Sequence, residues 1–146
     1  MTLFPSIGKR TAATLTFALA ALCAAAPGPS FAQEMKITLS GAQEVPPVTT
    51  SATGSGVITV AADKSISGSV SVKGMDSTMA HVHEGKMPNG SGPPIISLSK
   101  TADNVWAIPA DTKLTDEQLQ SLKSGNLYVN VHSVAFKAGE IRGQLK

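Results

Sequence analysis

From residue 35 to its end this chain alternates apolar and polar side chains, one for one, in short runs. "MKITLSG", "GSGVITVAA", "SISGSVSVKG", "TMAHVHEG", "IISLSK", "NVWAIPA", "NLYVNVHS" and "GEIRGQL" follow one another, separated by stretches rich in Gly, Pro, Asn, Asp and Ser. Successive side chains on a strand point to opposite faces, so a period of two buries one face and leaves the other polar, a pattern that no helix satisfies. "ADKS", between the second and third runs, reads as a hairpin turn. The paired prolines of "QEVPPVTTSATGSG" exclude that stretch from a central ladder and make it a polar connector or an irregular strand edge. No internal repeat is present at a solenoid period. Many short strands with frequent turns predict an all-β fold, an antiparallel, Greek-key-like β-sandwich.

One segment breaks the rule. "LTDEQLQSLKSG" carries a helix pattern over 115–124: Thr115 as N-cap with Gln118 three residues on, Asp116 and Glu117 in the first turn, Lys123 in the last and Gly125 as the stop. Leu119 and Leu122 form a stripe that would cover one end of the core.

Residues 1–32 do not share the alternation and have the anatomy of a cleaved signal peptide. Lys9 and Arg10 supply a positive start, "TAATLTFALAALCAAA" a short apolar stretch, and "SFA" small residues at the −3 and −1 positions ahead of Gln33. Leu22 before Cys23 is too large for a lipid-attachment site. The expected product is a single domain, 33–146, secreted or periplasmic, with no membrane span once the leader is removed. About 114 residues suffice for one modest core. Cys23 is the chain's only cysteine, so the mature domain is predicted to lack both disulfides and thiolate metal sites. Removal of Lys9 and Arg10 also leaves basic and acidic residues equal in number. A neutral domain offers no electrostatic grip on nucleic acid or anionic lipid.

The histidines are unevenly spent. The chain has three, and two of them, His81 and His83, stand one residue apart in "AHVHEG". Alternation sends Val82 to the core and both histidines to the opposite face. In "NLYVNVHS" it sends Leu127, Val129 and Val131 inward and Tyr128, Asn130 and His132 outward; in "GEIRGQL" it groups Glu140, Arg142 and Gln144 with the polar set. If the three strands are neighbours, all three histidines share a surface with Asn130, Glu140 and Arg142 as surrounding groups. Residues i and i+2 of a strand lie roughly 6.5–7 Å apart and project together, and two imidazoles can converge from there on one ion at about 2.0–2.1 Å. Met79 and Met87 flank the pair, and thioether with imidazole favours copper, particularly Cu(I). Glu84 is an alternative oxygen ligand, Glu140 and Arg142 pattern as a same-strand ion pair or a cross-strand partner set, Trp106 and Tyr128 as packing residues, and "GKMPNGSGPP" as a loop placed to act as a lid. No nucleophile elbow, phosphate loop or paired-carboxylate pattern is present.

The series "LSGAQEVPPV", "AHVHEG", "LTDEQLQSLKSGNLYVNVHS" and "GEIRGQL" resembles the CHRD domain, named after chordin, over residues 36–145. The resemblance implies an all-β sandwich in a secreted protein. "HVHEG" is also similar to the "HVHEFG" strand of copper-zinc superoxide dismutases, whose sandwich carries copper on its outer face. That likeness implies a superoxide-dismutase- or immunoglobulin-like arrangement of strands, His81, His83 and His132 as copper ligands and Arg142 as the arginine of the anion channel. The zinc-bridging histidines and the disulfide cysteines of that family have no counterpart, so copper without zinc is implied. Three functions follow as expectations: a copper-holding or copper-delivering protein, a mononuclear copper oxidoreductase with dismutase-like chemistry, and a non-metal module that binds a periplasmic or extracellular protein.

Overall fold

The computed structural model describes residues 32–85 and 90–146. The expected leader, apart from Ala32, and Met87 lie outside the described residues. Nine strands follow in the order β1 (Gln33–Ser40), β2 (Thr53–Val60), β3 (Ile66–Lys73), β4 (Ser77–Glu84), β5 (Pro94–Ser97), β6 (Ser99–Ala102), β7 (Val105–Ala107), β8 (Leu127–Ser133) and β9 (Ile141–Gln144), with one helix, α1 (Asp116–Lys123), between β7 and β8.

All nine belong to one antiparallel sheet, in the order β5-β4-β8-β9-β1-β2-β3-β7-β6. The sheet nearly closes on itself because its two edges are one stretch of chain. β5 pairs with β4, β6 pairs with β7, and the single residue between them, Leu98, donates its N–H to the Ala80 carbonyl at 2.9 Å. The all-β antiparallel expectation therefore holds. Near-closure also shortens the open edges that would otherwise template pairing with other chains.

The inner face is filled by the residues the alternation assigned to it. Ile37 and Leu39 of β1, Ile66, Val70 and Val72 of β3, Val82 of β4, Leu127, Val129 and Val131 of β8, and Ile141 and Leu145 at the end of the chain are all buried in one cluster. Trp106 joins them and donates its indole N–H to Ser77 Oγ at 2.8 Å, which satisfies its one polar atom. The β2–β3 hairpin closes at 61–65 with Lys64 at φ 69°. In α1 both capping-box bonds form: Gln118 N–H to Thr115 Oγ1 and Thr115 N–H to Gln118 Oε1. Leu122 is buried and Leu119 packs against the core. Among the described residues no helix is long and apolar enough to cross a membrane.

Two arrangements position the outer face. β8 lies between β4 and β9, so the three strands that carry the histidines, Tyr128 and Arg142 are adjacent. The connector before β2 and the turn after β8 then fold back over that face, bringing Glu44 and the 134–139 segment against it.

Candidate metal centre

Register fixes the outer face of the three strands. His81 stands opposite Asn130, His83 opposite Tyr128 and Met79 opposite His132, while on the other side of β8 Asn130 is paired with Arg142 and Tyr128 with Gln144. Directly paired residues of antiparallel strands share a face. The three histidines thus meet: each offers a nitrogen, and these atoms all lie within 4.8 Å of one another. His81 Nδ1 is 3.1 Å from His132 Nε2, and the His81 ring is edge-on to both of the others.

Hydrogen bonds to backbone carbonyls set the tautomers. A carbonyl only accepts, so His83 Nδ1, 2.9 Å from Gly92 O, carries a proton, as does His132 Nδ1, 3.0 Å from Lys137 O. Both Nε2 atoms are therefore bare lone pairs. His132 Nε2 accepts from His81 Nδ1–H, whereas His83 Nε2 is buried and has no partner among the described residues. An orphaned buried acceptor costs about 1–3 kcal/mol, which a bound cation would recover. Burial holds all three histidines below their ordinary pKa. At His81 the neighbouring His132 and His83 add to the effect, and at His83 and His132 the carbonyl bonds only partly oppose it. At neutral pH the cluster is three neutral imidazoles, the form that binds metal.

The second layer is a stack. The His83 ring lies nearly parallel to that of Tyr128, 13° apart with centroids at 5.1 Å, and the Arg142 guanidinium carbon is 3.4 Å from the Tyr128 centroid. Residues 90–93 are pinned across this stack: Gly92 N–H donates to Tyr128 Oη at 3.1 Å and Arg142 Nη2 donates to Gly90 O at 3.1 Å. A Cβ at position 92 would meet the Glu84 carbonyl, so only glycine lets this segment approach so closely. Gly139 is constrained likewise; its φ is +134° and a Cβ there would run into the Asn130 amide.

Of the groups expected to surround the histidines, Asn130 and Glu140 are bonded elsewhere. Asn130 donates to Glu44 Oε2 at 3.3 Å. Glu140 accepts from Thr50 Oγ1 at 2.7 Å and from Ser133 Oγ, tying the connector to the end of β8. The expected Glu140–Arg142 ion pair is absent among the described residues, since both carboxylate oxygens are already engaged and Arg142 turns onto Tyr128. Arg142 is 2% exposed and approaches Tyr128 from the β9 side while His83 approaches from β4, so a role as the channel arginine for incoming anions does not fit its position. Glu84 accepts from Ser121 Oγ and anchors α1. Met79 lies on the histidine face, 46% exposed.

Two residues take roles the sequence did not assign. Tyr128 is more than packing, and its place on the same alternating face as His132 was the available signal. Glu44 had none. It is buried, with Oε1 unpartnered among the described residues, and burial raises its pKa more than the Arg142 charge and the Asn130 bond lower it.

The family model of the CHRD domain matches residues 35–145. No curated protein and no solved structure matches the chain.

Proposed function

The chain belongs to the CHRD domain family, and on that frame we propose that it is a secreted or periplasmic copper-holding protein, with His81, His83 and His132 as ligands and metal retention or delivery as its role. The observation that carries this reading is the buried Nε2 of His83, without a partner among the described residues, on a ring that offers a nitrogen within 4.8 Å of nitrogens from two more neutral imidazoles. Nothing in the apolar core requires that arrangement, and a cation would complete it. The half-exposed thioether of Met79, on the strand position opposite His132, is the proposed fourth ligand and the reason to favour copper. Met87 stands as a second thioether candidate. Holding is favoured over redox catalysis because Arg142 is buried behind Tyr128 and cannot receive an anion at an open coordination position.

The test is titration of the purified mature domain with Cu(I), Cu(II) and Zn(II) in turn, followed by elemental analysis. One copper per chain is expected, with affinity for Cu(II) above that for Zn(II) and a loss of at least about 100-fold in the His81→Ala/His83→Ala double variant. Weak uptake that survives the double variant would overturn the assignment. Met79→Leu should weaken Cu(I) more than Cu(II).

A further inference from the structure

Arg142 is a large side chain in an unusual setting for a cation. It is fully buried, and its guanidinium contacts are an aromatic face, the Gly90 carbonyl and the Gln144 side-chain oxygen at 3.2 Å, all of them neutral. Among the described residues no carboxylate is within ion-pair distance of it. Its charge, which arginine does not lose in proteins, is therefore compensated only at longer range, by Glu44. That carboxylate is itself buried and bonded to Asn130 instead. One aromatic ring separates this cation from His83, the imidazole with the free buried nitrogen.

We propose that Arg142 and Glu44 set the valence preference of the copper site. The buried guanidinium disfavours Cu(II) against Cu(I), and the Glu44 carboxylate opposes it. The proposal rests on the copper reading and deepens it. Reduction adds one electron and lowers the charge of the site by one, so a nearby buried cation stabilises the reduced form relative to the oxidised one. Coulomb energies are several-fold larger in a partly desolvated interior than in water, and at an effective dielectric of about 20 they suffice for roughly a tenfold effect across one aromatic ring. Tyr128 is the rigid spacer that fixes the separation, held by Gly92 N–H at its hydroxyl and clamped between two partners. Arg142, Glu44 and Tyr128 are positioning residues, since none offers an atom to the metal.

The experiment measures Cu(I) and Cu(II) affinities, by competition with chelators specific for each state, in wild type, Glu44→Gln, Arg142→Gln and Arg142→Lys. Glu44→Gln is close to isosteric: the amide keeps an acceptor for Asn130 Nδ2 and gains a donor for Asn130 Oδ1, which has no partner among the described residues. It should raise the Cu(I)/Cu(II) affinity ratio several-fold. Arg142→Gln should lower the ratio about tenfold, equivalent to about 59 mV for one electron, and Arg142→Lys should restore most of the loss. Opposite shifts from the two neutralising variants are what charge produces; a packing role for Arg142 would leave Glu44→Gln without effect. If Arg142→Gln does not fold, Glu44→Gln decides alone. An unchanged ratio in Glu44→Gln with copper still bound overturns this proposal and leaves the copper site standing. Absence of copper binding by wild type in either valence overturns both.

Discussion

The two faces of β8 are equally dry and differently filled. Leu127, Val129 and Val131 point into the closed sheet, and Tyr128, Asn130 and His132 point away from it; all six are buried. The first face is covered by other strands' apolar side chains, the second by two folded-back segments and residues 90–93. An apolar side chain under cover needs only volume around it, whereas a polar one needs a partner for each donor and acceptor. The outer face meets that demand nearly everywhere, through Gly92 O, Lys137 O, Thr50 and Ser133. The buried exceptions among the described residues, His83 Nε2, Asn130 Oδ1 and Glu44 Oε1, all belong to this region. A face assembled for stability alone would not concentrate its unmet polar atoms in one place. The inner face of β8 accounts for the fold, and the outer face gathers the groups on which the copper proposal rests.

The sharpest way to break the comparison is to cut into the inner face. Leu127→Ala should cost about 2–5 kcal/mol, the range for a fully buried leucine whose surroundings cannot collapse. Chemical denaturation read by Trp106 fluorescence measures it. Copper affinity of the folded fraction should change little, because Leu127 and the histidines project to opposite sides of β8. A large loss of affinity at unchanged fold would mean that the two faces are not separable.

If the proposed site holds copper, the metal should produce the next effect and act on the outer face alone. Ligand present at about 100 times its dissociation constant stabilises a folded protein by roughly 2.7 kcal/mol. Wild type and Leu127→Ala should gain equally on copper addition, and His81→Ala/His83→Ala should gain nothing. Thermal melts with and without a chelator read this directly, and equal gains in the double variant would place the metal elsewhere.

The same division explains what the sequence made legible. Alternation is a statement about direction, so it assigned Val82, Val129 and Ile141 inward and His81, His83 and His132 outward, as the structure has them. It could not state that β4, β8 and β9 are neighbours, since pairing across long stretches of chain is decided by the whole sheet. Nor could it say that the outward face is buried. The covering comes from 44–48, 90–93 and 134–139, which have no period and whose decisive atoms, the Gly92 and Lys137 carbonyls, are backbone and carry no residue identity. Glu44 was hidden for the same reason: an acid beside two prolines in an irregular connector reads as solvent-facing. Asn130 and Arg142 were placed on one face, as the register has them, but their partners and those of Glu140 were not legible, because a shared face does not say which side chain reaches which.

The smallest expected effect is the pH dependence of stability without metal, and it too separates the faces. Each histidine is held below its ordinary 6.5 in the folded state, so below that value the unfolded chain binds more protons. The contribution is full above about pH 6.5 and is lost as pH falls from there through the lowered folded values. Glu44 has the opposite sign. Its folded value is raised above 4.5, so it favours folding below 4.5 and costs stability as pH rises through the folded value. Between about pH 7.5 and about pH 5.5 the histidines dominate, and denaturation midpoints of the metal-free protein should fall. His83→Phe keeps an aromatic ring against Tyr128 and removes one titrating group, so its midpoint should fall less over the same range. Leu127→Ala should run parallel to wild type, shifted down throughout. A His83→Phe profile as steep as wild type would show that burial of this imidazole is not what the outer face responds to.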